Sequence, residues 1–159
     1  MRILISIIIL LSTAISTPLF AQRPIFSIGP MIHINLPYGP APMSFSWGVE
    51  AAVWYPLEKS LHGVDFGFDV ERNKFRLYAE YQQTLPEITL IGFSAGPCIQ
   101  VEKNKPVSIG AQGSLWGNVY LGVDARIRYI AGDAFTFAPG LYFKLPFYNG
   151  NIILPVGAH

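Results

Sequence analysis

Charged side chains are scarce in this sequence. Asp, Glu, Lys and Arg make up 13% of the 159 residues, against about 25% in soluble globular domains. A soluble domain of this size covers its large surface with such residues, so their scarcity argues against a surface exposed to water. Beyond the N-terminal residues, no apolar run reaches the ~20 residues that a membrane helix needs. The apolar residues, 51% of the chain, are instead spread over segments that alternate with polar positions.

Cysteine and net charge are also low, and each excludes a class of function. Cys98 is the single cysteine, which rules out an internal disulfide and a zinc site built from several cysteines. We expect it to be a small buried apolar residue. A formal net charge of +1 without a Lys/Arg cluster gives no basis for nucleic-acid binding. Phosphate-binding glycine loops and nucleophile motifs are missing as well, so the sequence predicts no catalytic residue and no cofactor.

The first residues have the layout of a cleavable secretory signal. Arg2 precedes an apolar stretch over residues 3–11, and small and polar residues follow. This pattern predicts export, with cleavage between Ala21 and Gln22, and the apolar stretch is too short for a membrane anchor. The predicted organisation is a signal peptide over residues 1–21, one β-barrel domain over 22–145, and a tail or short hairpin over 146–159.

The rest of the chain alternates between apolar and polar residues with a period of two, which indicates β-strands. Over residues 119–129, Val, Leu, Val, Ala, Ile and Tyr alternate with Tyr, Gly, Asp, Arg and Arg. Similar segments recur along the chain and predict eight antiparallel strands, long enough for the ~9–11 residues of a tilted outer-membrane strand. Gly-Pro pairs at 29–30 and 96–97 predict bulges, and the longest connections are predicted at 37–42 and 56–63.

Three features predict that the apolar faces point outward. The polar faces are rich in Gly, Ser and Ala, which suits the interior of a narrow barrel. Charges do not interrupt the apolar faces, as a bilayer requires, since Arg or Lys facing lipid costs about 2–4 kcal/mol. Aromatic residues near strand ends resemble interfacial girdles: Tyr55, Phe75, Tyr81, Trp116, Tyr129, Phe135 and Phe143. The charges of the polar faces are nearly balanced and are expected to form a paired network in the lumen: Glu50, Asp65, Asp69, Arg76, Glu80, Asp124, Arg126, Arg128 and Lys144.

On this pattern the chain resembles the small eight-stranded outer-membrane β-barrel class (OmpX-like). That class often has, in its last strand, a Gly followed at +3 and +5 by aromatic or apolar residues, and Gly140, Phe143 and Leu145 match. Such barrels commonly end at an aromatic residue, whereas this chain continues. Asn149-Gly150 is a hairpin signal, so the tail is either a short strand pair or part of a ten-stranded barrel. The resemblance implies an all-β, antiparallel up-and-down transmembrane barrel in the outer membrane, with membrane lipid as its partner.

Three functions are compatible with this sequence. The first is a non-enzymatic outer-membrane barrel with a structural or interaction role, for which no residue pattern identifies a protein partner. The second is a soluble, exported, lipocalin-like barrel that binds an apolar ligand, with residues such as Phe66 and Val123 lining a cavity. The third is a lipid-modifying barrel enzyme using His33, although the His-x-Ser arrangement of barrel lipid deacylases is absent. His33, His62 and His159 have no other ligand at metal-binding spacing, so no metal site is predicted.

Overall fold

The structure, a computed structural model, describes residues 24–57, 59–118 and 121–152, so the predicted signal peptide lies outside the described residues. Within them, no helix is long and apolar enough to cross a membrane. The strands are β1 (Ile25–Pro37), β2 (Ser44–Leu57), β3 (Ser60–Glu71), β4 (Lys74–Leu85), β5 (Ile88–Glu102), β6 (Ser108–Asn118), β7 (Leu121–Ile130), β8 (Thr136–Phe143), β9 (Leu145–Tyr148) and β10 (Asn151–Ile152).

The strands form a closed antiparallel barrel. Each strand from β1 to β8 pairs with the next, and β8 returns to β1 through pairs such as Met31 with Tyr142. β9 continues along β1 in the same register, with Phe26 opposite Phe147, so β8 and β9 form one wall strand interrupted at Lys144. The barrel wall therefore has eight strands, which confirms the predicted up-and-down fold.

The tail turns back on itself after this last wall strand. Among the described strands, β10 pairs only with β9, placing Asn151 opposite Tyr148. The turn between them uses Asn149 and Gly150, whose φ angles of 51° and 77° are the positive values that a two-residue hairpin needs and that Asn and Gly tolerate best. β10 is thus a short addition outside the eight-stranded wall.

The faces of the wall have the predicted orientation. On β7, Val123 and Ile127 are 59% and 50% exposed on the outside, whereas Arg126 and Arg128 are 3% and 2% exposed inside. The other strands show the same alternation. A lipocalin-like barrel needs an apolar interior, so this facing excludes the apolar cavity of the soluble alternative.

Glycines on the inner face make room for large side chains from neighbouring strands. A Cβ atom at Gly67 would lie 2.2 Å from the Tyr78 hydroxyl oxygen, and one at Gly122 would lie 2.4 Å from the Tyr142 ring. Both separations are far below van der Waals contact, so a larger residue at either position would force the tyrosine ring to move. These positions allow a narrow lumen to hold bulky polar residues.

Both predicted bulges are wrong. Pro30 lies opposite Val49, and Pro97 lies opposite Ala111, within unbroken registers. The register shift that does occur lies between Thr84 and Leu85, at one end of β4. A proline removes one donor from the ladder, but the pairs on either side of each proline keep the strands aligned. Proline alone therefore did not indicate a bulge in these long strands.

The strand connections define two rims. The predicted loop at 56–63 is wrong, because β2 and β3 pair as far as Leu57 and Ser60. One end of the barrel, the loop rim, carries the connections at 38–43, 72–73, 103–107 and 131–135. The opposite end, the terminal rim, carries the shorter β2–β3 and β4–β5 connections, the β6–β7 connection, the start of β1 and the β9–β10 hairpin.

Replacing Val123 by Arg tests the outward face. Val123 lies at the third position of ten in β7 and points away from the lumen. A cation there is expected to destabilise the membrane-inserted barrel by up to about 2–4 kcal/mol because it would face hydrocarbon. Urea unfolding in lipid vesicles measures the change, and Val123→Leu is the matched control. Equal stability of Val123→Arg and the wild type would contradict this facing.

Candidate functional site

The nine predicted lumen charges all point into the barrel. None is more than 7% exposed, and they come from β2, β3, β4, β7 and the junction between β8 and β9. Seven of them lie in ion pairs, and these form two connected groups along the barrel axis. The structure therefore brings together, inside one lumen, residues separated by up to about ninety positions in sequence.

Asp69 is the centre of the group nearest the loop rim. Its two carboxylate oxygens accept hydrogen bonds from Arg76 Nη1 at 2.6 Å and Arg128 Nη2 at 2.7 Å. The Nε atoms of the two arginines donate to the side-chain oxygens of Gln100 and Gln112, each at 2.8 Å. One fully buried carboxylate thus joins β3 to β4 and, across the lumen, to β7. Charge-assisted bonds of this kind are stronger than neutral ones.

Further contacts of the same group connect Asp69's neighbours to the loop rim. Glu71 pairs with Arg76, and Asp133 in the β7–β8 connection accepts from Lys74 Nζ at 2.6 Å and Gln100 Nε2 at 2.9 Å. Partial burial would raise the pKa of Asp133, but these hydrogen bonds outweigh it and lower the pKa from 3.8 to about 2. A lowered pKa means that this stabilisation is present above pH ~4 and is lost as pH falls towards 2. The contact fixes one connection over the mouth of the lumen.

Glu50 is the centre of the middle group. Its carboxylate accepts from the Tyr78 hydroxyl at 2.7 Å and from Arg126 Nη2 at 3.1 Å, and it also pairs with Lys144. The Arg126 guanidinium lies 4.8 Å from the centre of the Tyr78 ring and 3.4 Å from Asp124. Arg126 therefore has both an aromatic face and two carboxylates as neighbours. Contacts with an aromatic face and with carboxylates stabilise a guanidinium group that has lost its hydration.

His33 belongs to the same lumen and not to an outer surface. It is 3% exposed, and its Nε2 lies 2.9 Å from an Asp124 carboxylate oxygen. A Cβ at Gly140 would lie 2.2 Å from the ring, so Gly140 provides the space that the ring occupies. The histidine thus extends the middle group to β1 as a buried partner of a carboxylate.

Trp116 does not belong to an outer girdle, contrary to the prediction. It is 9% exposed, and its ring packs edge-to-face on Trp54 at 5.4 Å between centroids, inside the barrel and towards the terminal rim. Its even-numbered position on β6 shares the inner face with Gln112 and Ser114. The other predicted girdle residues of the described strands point outward or lie at the surface, including Tyr81, Tyr129 and Phe143.

Little space is left between these groups. A cavity of about 10 Å³ lies in the middle of the lumen, which is room for about one water molecule. It is lined by the middle-group residues His33, Glu50, Asp124, Arg126 and Lys144, together with Met31, Asp65, Ser114, Trp116 and Tyr142.

Sequence reasoning missed several members of the network. Glu71, Tyr78, His33, Gln100 and Gln112 all bond to predicted members. The alternation of faces along each strand was the available signal. Glu71 and Tyr78 lie two residues from the predicted lumen charges Asp69 and Arg76, and the other residues share a face with inward-pointing neighbours on their strands. Which of them would be partners depended on how the wall closes.

Comparisons with known proteins add little to this picture. No family model matches the chain, and no curated protein matches it. Among solved structures, it is similar to Ail, the attachment invasion locus protein of Yersinia pestis, with 11% sequence identity over 77% of this chain and 98% of that chain and a TM-score of 0.24. A likeness of that strength carries no argument. The small eight-stranded antiparallel barrel, closed by β1 and β8, is confirmed from the chain's own strand pairing.

Replacing Arg126 by Leu tests the middle group. Glu50 and Asp124 would each lose a buried cationic neighbour, and removing one partner of a buried pair costs about 3–5 kcal/mol. The loss is measured as the change in the free energy of unfolding in urea, with the folded fraction determined from the gel mobility of unheated samples. The control is Lys103→Leu, because Lys103 is exposed in a loop-rim connection, where a change is expected to stay within about 0.5 kcal/mol. Equal effects of the two substitutions would contradict a paired interior.

Proposed function

We propose that this chain is an integral outer-membrane β-barrel protein with a plugged interior and a non-enzymatic role, structural or in interactions made by its rims. The observation that carries this proposal is the pairing of an apolar outer wall with an ion-paired lumen. Such a molecule exposes apolar side chains where a soluble protein exposes charges. A bilayer is the environment in which this arrangement is stable.

The outer wall supports a position in the membrane. All charged residues of the described strands occupy lumen-side positions, and large apolar residues such as Phe45, Phe66 and Leu115 are 56–67% exposed. Two polar residues that point outward, His62 and Gln83, lie opposite each other close to the terminal rim. Lipid would therefore contact a continuous apolar band, as in transmembrane barrels.

The interior supports a plug. Eight-stranded barrels have a lumen that side chains just fill, and here the cavity at the middle group has about 10 Å³. Buried arginine and carboxylate pairs occupy the axis above it, and the Trp54–Trp116 pair occupies it below. We therefore infer a barrel without a solute-conducting pore.

The burial of His33 supports a non-enzymatic role. A lipid-modifying enzyme must bring its histidine to a substrate that approaches from the membrane or a rim. His33 is 3% exposed and paired with Asp124 in mid-lumen, so it has no such access. The two rims remain as the surfaces that could contact a partner.

The rims also support an orientation. In outer-membrane barrels, short turns face the periplasm and longer loops face outside. Three of the four loop-rim connections have five or six residues, at 38–43, 103–107 and 131–135, whereas the β2–β3 and β4–β5 connections at the terminal rim have two residues each. We propose that the loop rim faces the cell exterior.

Cell fractionation tests the location. The expressed protein is expected in the outer-membrane fraction, and a membrane sample left unheated is expected to migrate differently from a boiled one on a denaturing gel because the barrel stays folded in detergent. Recovery in the soluble periplasmic fraction, with no heat-dependent mobility shift, would contradict the proposal.

Cysteine labelling of intact cells tests the orientation. Lys103→Cys at the loop rim should react with a membrane-impermeant maleimide, whereas Lys59→Cys at the terminal rim should react only after the outer membrane is permeabilised. Both lysines are exposed, and the native Cys98 is 1% exposed, so the unsubstituted protein is the background control. Labelling of Lys59→Cys alone in intact cells would reverse the orientation.

A further inference from the structure

Three lumen carboxylates lie close together on adjacent strands. Glu50 on β2, Asp65 on β3 and Glu80 on β4 each place one carboxylate oxygen within 4.8 Å of the others. Asp65 and Glu80 are direct cross-strand neighbours. Like charges directly opposite each other are destabilising, so two acidic residues in this position call for a compensating group.

Two oxygens of this cluster have no hydrogen-bond donor among the described residues. They are Asp65 Oδ1 and Glu80 Oε1, and their residues are 2% and 1% exposed. The other Glu80 oxygen accepts from Ser94 at 2.9 Å, and Glu50 already accepts from three donors, including Lys144. Buried carboxylate oxygens without a partner are costly. These two oxygens are therefore available for a ligand that carries positive charge.

The balance of buried charge points the same way. Among the described residues, six carboxylates, Glu50, Asp65, Asp69, Glu71, Glu80 and Asp124, are buried with four Lys and Arg side chains, Arg76, Arg126, Arg128 and Lys144. The carboxylates therefore outnumber these cations by two. Asp69 and Glu71 are paired with arginines, and Asp124 with Arg126 and His33. The uncompensated charge thus falls on Asp65 and Glu80, and one divalent cation would neutralise it.

We infer that Asp65, Glu80 and Glu50 form a calcium site inside the lumen. Carboxylate oxygens are the ligands of Ca²⁺ and Mg²⁺, with Ca²⁺–O distances of about 2.3–2.6 Å and Mg²⁺–O distances of about 2.0–2.1 Å. The three oxygens lie within 4.8 Å of one another, so they can converge on one cation. Ca²⁺ accepts mono- and bidentate carboxylates in a flexible geometry, whereas Mg²⁺ loses water reluctantly and usually keeps several water ligands, for which this part of the lumen has no room. The neighbouring cavity of about 10 Å³, lined by Glu50 and Asp65, has room for one atom-sized ligand such as a coordinating water. The site is independent of the proposed function, because it needs only the folded barrel.

Calcium content of the refolded barrel tests the site. The mature chain is refolded into detergent in buffer containing Ca²⁺, separated from free ion by gel filtration, and analysed by elemental mass spectrometry. The variant is Asp65→Asn with Glu80→Gln, which keeps the shape but removes two charges. The control is Glu87→Gln with Glu102→Gln, because these acids lie at the rims. The heat-dependent gel shift first shows that each protein is folded, and Asp65→Asn alone replaces the double variant if that one does not fold.

We expect about one Ca²⁺ per wild-type chain and per control chain, and at least a tenfold lower content in the lumen variant. Refolding with Mg²⁺ in place of Ca²⁺ should leave less than a tenth of an equivalent. A folded wild type without calcium would overturn the site and leave shared protons as the group between the two carboxylates. Equal calcium in the wild type and the lumen variant, or retention of Mg²⁺ but not Ca²⁺, would also overturn it.

Discussion

Pairing of buried charges inside the lumen is the interaction on which the rest of this structure depends. Placing six carboxylates and four cations away from water is costly unless each finds a partner. Asp69 has Arg76 beside it and Arg128 across the lumen, and Glu50 has Arg126 and Lys144. Arg76 is already opposite Asp69 in the β3–β4 hairpin, but Arg128, Arg126 and Lys144 reach their carboxylates only when the wall is closed. A shift by one residue in any strand would turn its charges towards the lipid.

The same constraint explains the glycines and the narrow bore. Long polar side chains from one strand extend over the backbone of the next, where Gly67 accommodates Tyr78, Gly122 accommodates Tyr142, and Gly140 accommodates His33. Larger residues at these positions would separate the ion pairs or widen the wall. The inner face therefore carries large polar groups over glycine, and the apolar residues are left for the outer surface.

Much of this arrangement could be predicted from the sequence, because odd and even positions along a strand point to opposite faces, so position alone gives the face of each residue. The even positions of β7 carry Asp124, Arg126 and Arg128, and all three are buried on the inner face. Parity could not identify partners on strands that are not neighbours, such as Arg128 with Asp69 or His33 with Asp124, because those depend on barrel curvature and side-chain length. It also failed locally where residue type was given more weight than position. Trp116 was assigned to a girdle because it is aromatic, and Pro97 to a bulge because it is proline, yet position decided both.

The measurement that bears most directly on the inside-out wall is a spin-label scan of β7 in lipid vesicles, one residue at a time over Leu121–Ile130 in a Cys98→Ala background. Labels at the odd positions, which include Val123 and Ile127, should be accessible to oxygen dissolved in the bilayer and shielded from a water-soluble nickel chelate. Labels at the even positions should be shielded from both, because they enter a filled lumen. Accessibility of the even positions to the nickel chelate, with the odd positions shielded from both reagents, would contradict the structure and indicate a barrel with an apolar interior.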